Sequence, residues 1–105
     1  MAGQLTIFTP MIEALTREIT ALIERKRKLE DQNRAFNAEI DSNKACLENA
    51  DWYDKKEIEN DILNTEREVR SNNEAIAKIE KEIELKQKQR ADYIDAMEGM
   101  NGKQR

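Results

Sequence analysis

The sequence predicts an all-α protein, with two long helices folded into an antiparallel coiled-coil hairpin. Three observations carry that expectation: a composition suited to long helices, a heptad seam that begins at Ile12, and the failure of that seam after Leu47. Among 105 residues, 38% are charged and 5% aromatic, with one proline and three glycines. Such a chain has room for one domain but too few large apolar side chains for a thick core. Disorder is the competing reading of this composition, and regular apolar spacing argues against it.

Thr9 and Pro10 open the first helix, the hydroxyl as cap and proline at the first helical position, where no amide hydrogen is required. Ahead of them, residues 1–9 are expected to be extended. Within that segment, Gln4–Thr9 is apolar and β-branched. It could add a strand to a partner's sheet, or Leu5 and Phe8 could continue the seam. Residues 10–48 form the helix, with Ile12, Leu15, Ile19, Leu22, Leu29, Phe36, Ile40 and Leu47 on the a and d positions of one frame. Lys26, Asn33 and Asn43 are its polar members.

Beyond Leu47 the same frame meets Asp54, Glu57, Asp61 and Glu68, and so it stops. A second frame, displaced by one residue, holds Ile58, Ile62, Thr65, Val69, Asn72, Ile76, Ile79, Ile83, Lys86, Arg90, Tyr93, Met97 and Met100. One continuous helix could absorb the skip by pairing with another molecule; start signals favour a turn over residues 49–54 instead. Asp54 and Glu57 resemble a capping box with Tyr53 and Ile58 as its staple, while Asp51 is an alternative cap. Asn49 is the residue there most tolerant of left-handed geometry. The second helix then spans 55–98, stopped by Gly99 and Gly102, and 99–105 is a flexible tail.

Two registers fit these frames. One, with a broad loop, sets Leu47 against Ile58 and Asn33 against Asn72, at the cost of Ile19 against Lys86 and Leu15 against Arg90. The tighter one sets Ile40 against Ile58, Phe36 against Ile62, Ile19 against Ile79 and Leu15 against Ile83. It also matches polar with polar, Asn33 with Thr65 and Lys26 with Asn72. That avoids orphaned buried groups and favours this register. Asn33, Asn72, Thr65 and Lys26 are accordingly the register-setting residues. A lone two-helix stripe is marginal, so off-seam Ile7, Ile23, Leu63, Leu85 and Ile94 point to a homodimer, two hairpins forming a four-helix bundle.

Chemistry is sparse. Without histidine the chain has no imidazole base, ligand or nucleophile partner, and no glycine lies in a phosphate-binding pattern. No catalytic, metal or cofactor residue is expected, and the chain does not read as an enzyme. A single cysteine, Cys46, suits a reducing compartment, and neither a secretory signal nor a bilayer-spanning run is visible; a cytoplasmic protein is expected. Arg25, Arg27, Lys28 and Lys88 form a candidate basic patch for nucleic acid. Interleaved acids and a net charge of −4 favour a solvated coiled-coil flank.

The acidic stretch around residues 48–61 is the stronger candidate. Trp52 and Tyr53, with Asp51, Asp54 and Glu57, combine hot-spot aromatics with charges that would steer a basic protein partner. Alternatively, Tyr53 staples the helix start and Trp52 lids the seam. The expected function is a small binding adaptor or inhibitor, of a kind that would suit a virus-encoded protein directed at a host factor. A structural assembly coiled coil and a nucleic-acid-associated arm are the alternatives.

Overall fold

A computed structural model describes residues 7–103, with the side chains of 7–99. It contains two helices, α1 from Thr9–Leu47 (39 residues) and α2 from Trp52–Lys103 (52 residues), folded as a hairpin. The chain divides into two compact units. A terminal unit holds residues through Arg25 and from Ile79 onward; a tip unit spans Lys26–Lys78.

Helix α1 begins one residue earlier than the Thr9 cap implies, for Ile12 N–H donates to Phe8 O at 2.9 Å. Pro10 sits in the first turn, where its missing N–H costs nothing. The helix closes on two turn-like bonds, Asn49 N–H to Cys46 O and Ala50 N–H to Leu47 O, each 3.4 Å. No described residue has a positive φ, so Asn49 does not make the turn through left-handed geometry. The connection is residues 48–51, shorter than the predicted 49–54.

Both heptad frames are visible in the burial pattern. Leu15, Ile19, Leu22 and Ile40 of α1 and Ile62 and Ile79 of α2 are the buried apolar residues, with Asn33, Thr65 and Asn72 among them. Ile12, Lys26, Leu29, Phe36, Asn43 and Leu47 are half-buried, as are Ile58, Val69, Ile76, Ile83, Lys86, Arg90, Tyr93 and Met97. Even Ile79, the most buried of the apolar core, keeps 4% of its surface exposed, as a single stripe between two helices must allow.

The register is the broad-loop one, and the expected polar matching of the tighter alternative does not occur. In the tip unit, Asn72 Nδ2 donates to Asn33 Oδ1 at 3.0 Å. In the terminal unit, Lys86 Nζ reaches Glu18 Oε2 at 3.0 Å and Arg90 Nε donates to Thr16 Oγ1 at 2.9 Å. Two physical facts undo the polar-matching preference. Thr65 donates its hydroxyl to Asp61 O, one turn back, at 2.9 Å, and so does not depend on Asn33 across the seam. Lys86 and Arg90 snorkel, laying their stems on the seam and carrying their charges out to its flank. Nor does this register require a long loop. The frames set Leu47 level with Ile58, and residues 52–57 continue α2 past the end of α1, all exposed.

Near its C-terminus α2 runs on through Gly99 to Lys103, where 99–105 was expected to be a tail. Both expected stops, Gly99 and Gly102, lie within the helix without positive φ, and each costs a helix only about 1 kcal/mol relative to alanine. The side chain of Met100 and residues 104–105 lie outside the described residues, as do 1–6, including Leu5 and half of the predicted β-branched segment. Phe8 does continue the α1 seam: its ring packs against Tyr93 with centroids 5.6 Å apart.

Candidate functional site

The hairpin tip is built by Asp51. Its Oδ1 accepts from Tyr53 N–H at 3.1 Å and Asp54 N–H at 3.0 Å, and its carbonyl accepts from Lys55 N–H at 2.9 Å. That makes Asp51 the N-cap of α2, satisfying two of the amides that every helix start leaves open. The predicted capping box at Asp54 and Glu57 is displaced by one turn, because Asp51 reaches the open amides first. Asp54 instead supplies a carboxylate in the first turn, favourable to the helix dipole.

With the cap at Asp51, Trp52 and Tyr53 occupy the first two helical positions and point to solvent. Trp52 is 67% exposed and Tyr53 76%, so neither closes the seam nor staples the helix start. The two rings meet edge-on, centroids 5.6 Å apart at 83°, and Lys56 Nζ lies 5.0 Å from the Trp52 ring centroid. The indole face is therefore already engaged by a cation from the next turn. Glu48, Asp51, Asp54, Glu57, Glu59 and Asp61 are all exposed around this pair. The structure thus brings together every residue proposed for the tip: Trp52, Tyr53, Asp51, Asp54 and Glu57 lie within one to two helical turns.

Deeper in the tip unit lies a cluster of four amides. Asn33 Nδ2 donates to Asn73 Oδ1 at 2.9 Å, and Asn72 Nδ2 donates to both Gln32 Oε1 at 2.8 Å and Asn33 Oδ1 at 3.0 Å. Among the described residues no buried side-chain nitrogen or oxygen lacks a partner. Asn33 and Asn72 were legible as seam residues. Gln32 and Asn73 were missed, although each is the sequence neighbour of a buried asparagine and can reach over the seam. An open groove of about 450 Å³ runs beside the cluster, lined by Arg27, Glu30, Asn33, Arg34, Asn73 and Ile76.

The candidate basic patch resolves into separate placements. Arg27 and Lys28 are exposed on α1 in the tip unit, while Arg25 on α1 and Lys88 on α2 are exposed in the terminal unit. Lys26 turns to the seam and is half-buried. Arg34, nearly two turns on from the run, pairs with Asp31. Cys46 is an exposed free thiol. No described helix is long and apolar enough to cross a membrane, and no group of three or more potential metal-ligating side chains occurs among the described residues.

No protein-family model, curated protein or solved structure matches the chain.

Proposed function

We propose that this chain is a small, non-enzymatic protein-binding module, an adaptor or inhibitor, that engages a basic protein surface through the first turns of α2. The observation that supports this reading is the exposure of Trp52 and Tyr53 on a capped helix start. Removing two large aromatic rings from water on a partner would be strongly favourable, at roughly 25 cal/mol per Å² of apolar surface. Ordering them costs little, since the cap and the edge-on ring contact already hold them. The surrounding carboxylates would accelerate encounter with a basic partner and repel acidic ones. Cytoplasmic action fits the lone free thiol of Cys46, and a host factor bound by a virus-encoded protein is one setting for such a module.

The module is proposed to be a homodimer. Ile23, Leu63 and Leu85 are each about half exposed or more, and a two-helix seam gains from further burial.

A photo-crosslinking residue placed at Tyr53 tests the binding reading in the full chain. The expected result is one specific crosslinked protein, lost in a Trp52→Ala/Tyr53→Ala variant whose mass by light scattering is unchanged. Its association should slow as salt rises from about 0.05 to 0.5 M, since screening lengths fall several-fold over that range. Crosslinks only to other copies of the chain, with the alanine variant changing mass, would replace this reading with structural assembly.

A further inference from the structure

We propose that the hairpin is a two-register element: α2 can slide along α1 by one heptad, about 10.5 Å, and the four-amide cluster latches the register observed. Because both seams repeat every seven residues, a slide of one heptad keeps a and d positions facing each other in each unit. In the tip unit the slide replaces Asn33 opposite Asn72 with Asn33 opposite Thr65, and brings Ile40 to Ile58 and Phe36 to Ile62. In the terminal unit it removes Lys86 and Arg90 from Ile19 and Leu15, and brings Ile79 and Ile83 there instead. The second register therefore gains apolar pairing at Ile19 and Leu15, and moves the two cations one heptad along, to Ile12 and Phe8.

What the second register gives up is the latch, together with the Phe8–Tyr93 ring contact and the bonds from Lys86 to Glu18 and from Arg90 to Thr16. Asn72 donates to Asn33 and Gln32, Asn33 donates to Asn73, and only the observed register brings all four amides together. The loss is compensated locally. Thr65 already satisfies its own hydroxyl proton at Asp61 O, leaving the hydroxyl oxygen able to accept from Asn33. The two registers thus set different interactions against each other: the amides and the Phe8–Tyr93 contact in one, aliphatic pairs at Ile19 and Leu15 in the other. The slide also has a readout at the tip. It would bring Leu47 level with Asp51, so that residues 52–57 no longer continue past the end of α1 and Trp52 and Tyr53 are drawn beside the turn. The slide is the same whatever the tip binds.

The test uses spin labels at Asp41→Cys and Lys78→Cys in a Cys46→Ala background, both exposed positions in the tip unit. With the amides intact the main distance is that of the observed register. Adding Asn33→Leu deprives Asn72 of one partner in that register and leaves no orphan in the other. The main distance is expected to lengthen by about 10.5 Å, seven residues at ~1.5 Å each. Adding Asn72→Leu as well restores apolar matching in the observed register and should bring the shorter distance back. A folded Asn33→Leu variant that keeps the short distance overturns the proposal.

Should Asn33→Leu fail to fold, disulfide trapping decides with all four amides in place. Asn37→Cys with Glu66→Cys reports the observed register, since both residues line one groove. Asn37→Cys with Glu59→Cys reports the same geometry one heptad away. Both pairs should close in native glutathione buffer; closure of the 37–66 pair alone overturns the two-register element.

Discussion

Asp51 shows how one carboxylate sets the geometry of the tip. Its two amide bonds fix where α2 starts, and that start decides that Trp52 and Tyr53 face water. Asp51→Ala is expected to cost about 1 kcal/mol in urea-unfolding stability, the usual price of a lost N-cap, whereas Asp51→Asn should cost a few tenths. The seam residues differ from the tip in kind. Ile79, at 4% exposure the most buried of the apolar core, should lose about 2–4 kcal/mol as alanine through lost burial and the void left behind. Leu85, 63% exposed, should change monomer stability by less than about 0.5 kcal/mol on the same substitution. That contrast follows from the heptad frame alone. Asp51 could be read only as one of two caps, because Asp51 and Asp54 both precede a helical pattern by a suitable step and spacing does not rank them.

At the level of the helices, polar seam residues matter through where their atoms can reach. Lys86 spans from the seam to Glu18, but the pair is substantially exposed, with side-chain accessibilities of 30% and 50%. Exposed pairs of this kind contribute about 0–1 kcal/mol. Glu18→Gln should therefore lower the melting temperature by no more than a few degrees. Lys86→Leu should raise it, since an aliphatic side chain fills the seam that the lysine only borders. The register itself was legible as a pair of alternatives, and the preference between them came out reversed. Counting polar with polar treats every hydroxyl and amide as needing a partner across the seam. A threonine on a helix can bond its own preceding turn, as Thr65 does, and a lysine can leave. The amides of Asn33 and Asn72 instead find their partner across the seam, where Asn72 donates to Asn33.

For the molecule as a whole, the seam is narrow: among the described residues six apolar side chains are buried in it. Chains of this size with so little core are commonly stabilised by association. On the homodimer proposal, light scattering at micromolar concentration should give twice the chain mass of 12.3 kDa. Leu63→Lys and Leu85→Lys should each shift that value toward the monomer while leaving helicity by circular dichroism unchanged. A monomer mass for the wild-type chain would remove the dimer and leave Ile23, Leu63 and Leu85 exposed to water as the tip aromatics are.

Composition and the two heptad frames determined the helical class, the hairpin, the a and d faces, and the location of the turn to within a few residues, because periodicity is a local property of the chain. The tertiary structure decided the register, the choice of Asp51 as cap and the outward placement of Trp52 and Tyr53. Each of these is a competition between partners distant in sequence or between equivalent local signals. Such competitions are settled by which atoms reach which others once both helices are in place. Gly99 marks the same limit from the other side, a stop signal that a committed helix runs through at small cost.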